Sequence, residues 1–168
     1  MKTIGSTIIM LALASSLFAD NGKELKLASP DGTHAIVFYQ KQVSPAVNEL
    51  CYRVDYKSQP VVNESRAGLE LDNRIWEMAL GVRNLKQPAC WMDNLEVDSV
   101  TYQLETNLTW QPLYGERSSV RDHYRAGTLC LSKKDNSGYR LNIEVRAYNE
   151  GVAFRYFFPE HPKAIVHK

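Results

Sequence analysis

Twenty basic residues against nineteen acidic ones leave this 168-residue chain at a net charge of +1. That balance excludes the basic excess that gathers nucleic acid and the long acidic tract of a solvating tail. The length fits one domain.

The N-terminus reads as processing rather than fold. Lys2 opens it, Ile8 to Ala14 is an apolar core, and small or apolar residues continue to Ala19. Polar Asp20-Asn21-Gly22 follows. This is the layout of a secretory signal over residues 1–19, too short for a membrane span of about 20 residues. The mature part, residues 20–168, is expected in the periplasm or outside the cell.

From there the pattern is β throughout. Leu25 to Ala28 is a first strand, Ser29-Pro30-Asp31-Gly32-Thr33 a turn, and His34 to Gln40 a second strand. Glu49 to Tyr56 alternates, with Tyr52, Val54 and Tyr56 on one face. Arg66 to Leu71 reads as another strand, whereas Leu69 to Val82 also carries near-helical spacing through Leu71, Ile75, Met78 and Val82. Leu95 to Leu104 changes phase midway, from Leu95 and Val97 to Val100, Tyr102 and Leu104. A bulge or break near Asp98-Ser99 must absorb that slip. Thr128 to Ser132 alternates, and Asp135-Asn136-Ser137-Gly138 turns. Leu141, Ile143, Val145 and Ala147 then share one face, Asn149-Glu150-Gly151 turns, and Val152, Phe154, Tyr156 and Phe158 line a last apolar face. Short turns between successive strands predict an antiparallel all-β sandwich. The apolar run Ala164-Ile165-Val166 close to the end reads as a strand interrupted within a sheet.

An odd set of cysteines, Cys51, Cys90 and Cys130, leaves at least one thiol unpaired. Buried free thiols are the simplest reading, and no Cys or His spacing suggests a metal site. Hydrolysis by a carboxylate pair needs two carboxyl groups held a fixed distance apart, and Glu116, Asp122, Glu144 and Glu150 are the candidates. Without strand register none can be paired, so no catalytic residue is assigned. His123 beside Tyr124 reads as structural. Arginine within strand sequence needs a fixed acceptor. Glu116, Arg121, Arg146 and Arg155 are therefore expected to form a structural polar cluster. Trp76, Trp91 and Trp110 are either core or sugar-stacking platforms, with Trp91 and Trp110 the carbohydrate-binding candidates. Sequons at Asn63 and Asn107 matter only in a eukaryotic source.

Four stretches occur in a distinctive order: Leu27-Ala28-Ser29-Pro30-Asp31-Gly32, Arg66-Ala67-Gly68-Leu69-Glu70-Leu71, Trp110-Gln111-Pro112-Leu113-Tyr114-Gly115-Glu116 and Asn149-Glu150-Gly151-Val152-Ala153-Phe154-Arg155-Tyr156. In this order they resemble the N-terminal domain of glycoside hydrolase family 97, bacterial α-glucosidases and α-galactosidases, from about Leu27 to Phe158. The resemblance implies a galactose-mutarotase-like super-sandwich packed on a catalytic TIM barrel. It places the acid, and the base or nucleophile, in that barrel. It also implies calcium at the parent's active site, held mostly by barrel glutamates, with one further glutamate from the sandwich beyond Lys168. No such residue is carried over, and no cofactor or metal is assigned to this chain. The family sandwich is longer, so this one is expected to be incomplete at its C-terminus. The expected partners are the barrel and an oligosaccharide, with no nucleic acid and no membrane span. The implied role is a non-catalytic N-terminal domain that braces the barrel and helps shape its sugar pocket. Two alternatives stay open: a free-standing carbohydrate-binding module and a mutarotase-like sugar epimerase.

Overall fold

The computed structural model describes residues 23–70, 78, 90–134 and 139–159. The signal segment, Trp76, the turn at residues 135–138 and the run at residues 164–166 lie outside them. So does most of the helix candidate; of its described residues, Leu69 is not helical, Glu70 forms an antiparallel bridge with Cys90, and Met78 is helical. Among the described residues, nine antiparallel strands form two sheets. The first is a meander in chain order: β1 (Leu25–Ala28), β2 (His34–Ser44), β3 (Val47–Tyr56) and β4 (Gln59–Arg66). The second comprises β5 (Leu95–Tyr102), β6 (Thr106–Trp110), β7 (Val120–Lys133), β8 (Arg140–Tyr148) and β9 (Gly151–Phe157). Its order is β5-β7-β8-β9, with β6 paired to the first half of β7. Apart from Met78, the described residues form the antiparallel β architecture that the periodicity predicts.

Local chemistry fixes the first hairpin. The Asp31 carboxylate accepts from Ser29 Oγ at 2.6 Å, Thr33 N at 3.0 Å and Thr33 Oγ1 at 2.8 Å. Gly32 sits at φ +73°, a left-handed conformation that costs a side-chain-bearing residue energy. These donors hold Asp31 at a pKa of about 2, the Ser29 hydroxyl contributing most. The β3–β4 turn reaches the same end without glycine. Lys57 and Ser58 both have positive φ, 49° and 63°, as a tight two-residue hairpin turn demands.

The phase slip in β5 is a bulge and not a break. Val97 opposes Leu131 and Ser99 opposes Cys130, so Asp98 is the extra residue. The insertion turns Leu95 and Val97 inward ahead of it and packs Val100 against the core behind it. Leu104 and Tyr102, read in phase with Val100, are exposed instead.

The two sheets close over one apolar core. Leu25, Leu27, Ile36, Phe38, Leu50 and Val54 from the first sheet meet inward residues of the second. The latter are Leu95, Val97, Leu129, Leu131, Leu141, Ile143, Val145 and Ala147. Fully burying a side chain such as Leu141 or Ile143 contributes roughly 1.5–3 kcal/mol. One end is plugged by Trp91, which meets Phe158 edge-to-face at 5.2 Å. Gly68 lies against that indole residue's backbone: a Cβ there would sit 2.5 Å from Trp91 O, and Gly68 N donates to the Tyr156 hydroxyl at 2.8 Å.

Two expectations about burial need correction. Phe154 does face inward, opposite Val145, but β9 ends the described sheet and leaves the residue 36% exposed. It packs against Phe38, Tyr52 and Tyr156 at the rim of the core. The cysteines are all free, yet only Cys51 is buried; Cys130 is half-buried and Cys90 exposed. Burial pushes the Cys51 thiol up, which makes it a poor nucleophile.

Candidate functional site

Directly opposed residues of antiparallel strands point to the same side. The registers Ala126↔Arg146, Tyr124↔Tyr148 and Glu144↔Arg155 therefore put Tyr124, Glu144, Arg146, Tyr148 and Arg155 on the outer face of the second sheet. Leu108 and Trp110, opposite Asp122 and Val120, extend that face along β6. Glu144, Arg146, Tyr148, Ala153, Phe154 and Arg155 line an open depression of about 280 Å³. The Arg146 guanidinium lies 4.5 Å from the centre of the Tyr124 ring, and its Nη1 donates to the Tyr148 hydroxyl at 3.4 Å. Stacking of this kind contributes about 0.5–1 kcal/mol at an exposed site. Arg155 Nε donates to Glu144 Oε2 at 2.5 Å. The site thus holds one arginine bound to a carboxylate and one held by phenol groups.

A second polar group occupies the opposite, inward side of the same strands, near the first turn. Glu105 takes His123 Nε2 on one oxygen at 2.7 Å and Arg125 Nε on the other at 2.9 Å. His123 first and Arg125 second hold the Glu105 carboxyl below its ordinary range. Arg125 Nη1 also reaches Ser29 O at 3.5 Å. Asn149, from the β8–β9 turn, accepts from Asp31 N at 3.1 Å. The group joins the two sheets at one end. Both Glu105 oxygens are engaged, which ties His123 and Arg125 into one hydrogen-bonded group, and His123 Nδ1 is buried without a hydrogen-bond partner among the described residues.

The expected four-residue cluster does not assemble. Arg146 and Arg155 line the same depression. Arg121 instead donates to Asn107 Oδ1 at 3.0 Å on the opposite side of the sheet. Glu116 is exposed in the segment between β6 and β7, with no ion pair among the described residues. Arg155 is not a buried charge, since 71% of its side chain is exposed. The separation is geometric: Arg121 is odd on β7, whereas the partners of Arg146 and Arg155 are even. Of the carbohydrate candidates, Trp91 is fully buried and has no ring face to offer a sugar. Trp110 is 53% exposed on the outer face. Of the four candidate carboxylates, Glu144 is tied to Arg155, Asp122 faces outward on β7, and Glu116 and Glu150 are exposed on different connections. Tyr124, Tyr148 and Glu105 escape sequence reasoning as site residues. The i, i+2 spacing of Arg146 and Tyr148 is the available signal, but Tyr124 joins them only through strand register.

The resemblance places calcium in the parent's catalytic barrel. Among the described residues, no three His, Cys, Asp or Glu side chains converge as ligands. No helix among them is long and apolar enough to cross a membrane.

The fold is an all-β antiparallel sandwich with a polar and aromatic outer face. Residues 27–168 match the family model Glycosyl-hydrolase 97 N-terminal, and the chain belongs to that family. It is 26% identical over 150 residues to a retaining alpha-galactosidase of Bacteroides thetaiotaomicron, covering 89% of this chain and 19% of that protein. A glycoside hydrolase family 97 enzyme of Pseudoalteromonas sp. strain K8, solved in complex with panose, superposes with TM-score 0.63 at 27% identity. The match covers 80% of this chain and 17% of that enzyme, and the same values hold for its complex with acarbose. A beta-arabinopyranosidase shares the fold with TM-score 0.59 at 17% identity, over 79% of this chain and 18% of its own. The chain therefore spans under a fifth of the length of these relatives.

Proposed function

We propose that this chain is the non-catalytic N-terminal sandwich of an exported enzyme acting on α-glucosides or α-galactosides. There it braces the catalytic barrel and helps shape the sugar pocket. Membership of the N-terminal family, at under a fifth of the length of its relatives, supports the reading. The observation that carries the bracing role is the outer face of β6. Leu108 is 63% exposed beside Trp110, and Leu113 and Tyr114 follow them in the exposed segment after β6. An apolar grouping of this kind marks a surface that another body covers. Export rests on the signal-like start of the sequence. Calcium, in this reading, belongs to the catalytic portion of the parent.

The test is a chimera in which this chain replaces the corresponding N-terminal part of the Bacteroides thetaiotaomicron enzyme. The expected chimera hydrolyses an aryl α-galactoside, and Leu108→Asp with Trp110→Asp lowers its activity and melting temperature together. A chimera indifferent to both substitutions, and no better than the enzyme with that part deleted, would remove the bracing role. Saturable binding of maltooligosaccharides by the full chain, lost in Trp110→Ala, would favour a carbohydrate-binding module instead.

A further inference from the structure

Arg146 differs from the other arginines whose contacts are described. Arg53, Arg66, Arg125 and Arg155 each meet a carboxylate, and Arg121 meets an amide oxygen. Arg146 meets only the ring of Tyr124 and the hydroxyl of Tyr148, and no carboxylate among the described residues pairs with it. Asp122 shares the outer face but acts on Arg146 only through space. Stacking holds one face of the guanidinium plane, and the phenol engages one Nη1 proton. The other donors of the planar fork stay unmatched among the described residues. They belong to a residue that lines the depression. The charged groups lining that depression are Arg146, Arg155 and Glu144, and Glu144 is already engaged by Arg155. One positive charge is left over.

We infer that this depression is a carboxylate receptor, with Arg146 as its anchor and Tyr124 and Tyr148 as the groups that hold the anchor in place. A planar fork of N–H donors matches a carboxylate in two parallel hydrogen bonds, which a point-charge cation cannot reproduce. Holding the guanidinium beforehand lowers the ordering cost of binding. At about 280 Å³ the depression falls just under the roughly 300–1,000 Å³ of drug-sized ligand sites. It suits one small acidic unit and not a chain of sugars. That unit is a sugar acid or the side chain of an aspartate or glutamate from another segment; the carboxylate is common to both. The inference stands on Arg146 and its neighbours and does not depend on the bracing role.

The experiment is a titration of the full chain, followed by the side-chain Nε–Hε resonances of its arginines. The probes are sodium acetate, sodium glucuronate and glucose, with ionic strength held constant by sodium chloride. Both carboxylates are expected to shift the Arg146 resonance saturably, and glucose and chloride are not. Arg146→Lys keeps the charge and removes the fork, and is expected to weaken binding at least about tenfold. Tyr124→Leu is expected to weaken it several-fold with the fold intact. Tighter binding of glucuronate than acetate upholds the receptor and identifies the source as a sugar acid. Equal binding upholds it with a carboxylate alone, as a side chain would present. An unsaturable shift in the wild type, an equal response to chloride, or undiminished binding in Arg146→Lys would overturn it.

Discussion

Asp31 shows how one carboxylate fixes a turn by collecting donors. Its pKa in the fold, about 2, is depressed below the ordinary carboxylate value, so its protonation opposes folding. The stability it contributes is fully present above about pH 4 and is lost as pH falls toward 2. The expected result is a melting temperature that drops over that window in the wild type. In Asp31→Asn the deficit is largest above pH 4 and closes near pH 2, as thermal unfolding followed by circular dichroism across pH will show. Arg155 is the opposite case. Its pair with Glu144 is solvent-exposed, and exposed pairs contribute about 0–1 kcal/mol. Arg155→Ala is therefore expected to cost less than about 1 kcal/mol in urea unfolding. A loss of several kcal/mol would mean that the ion pair is shielded in a way its exposure does not show.

At the scale of elements, legibility follows burial. β1 and β8 can be read from sequence because their apolar residues alternate and face the core, and the bulge at Asp98 can be read because the alternation slips by one. β4 cannot. It carries Pro60, lies at an edge, and its side chains are mostly exposed, so no period-two signal exists. Its turn also hides, since Lys57-Ser58 lacks the glycine or asparagine that announces positive φ. β6 escapes because Leu108 and Trp110 do alternate but point away from the core. The outer site is half legible: Arg146 and Arg155 can be named, whereas their partners depend on registers that no single strand encodes. The β3–β4 turn yields a prediction. Two side-chain-bearing residues there occupy a region costing roughly 1–2 kcal/mol each. Lys57→Asn with Ser58→Gly is expected to stabilise the protein by about 1 kcal/mol, read as a higher urea midpoint at unchanged slope.

For the whole molecule, membership of a glycosyl-hydrolase N-terminal family does not by itself confer hydrolysis. Cleavage needs an acid and a base or nucleophile set a few ångströms apart across the bond, about 5–9.5 Å between carboxyl groups. Glu144 is tied to Arg155, and Glu116, Asp122 and Glu150 sit on separate parts of the chain. The purified chain is expected to release no p-nitrophenol from aryl α-glucosides or α-galactosides above a buffer control. Turnover that disappears in Glu144→Gln would place the chemistry in this domain after all.

The hydrogen bond from Asp31 to Asn149 spans 118 positions of chain. Its two ends belong to sheets that are each assembled from sequence neighbours, residues 25–66 in one and 95–157 in the other. Each sheet can form from short-range hairpin closure, and the apolar faces must then find each other although the chain between residues 66 and 95 separates them in sequence. The Asp31–Asn149 contact exists only once that docking is complete, which makes it a latch closed late on the folding route. A late contact slows escape from the native state more than it speeds arrival. Asn149→Ala should accordingly leave the refolding rate in stopped-flow experiments nearly unchanged and accelerate unfolding. Equal and opposite changes in both rates would instead put the meeting of the two sheets at the start of folding.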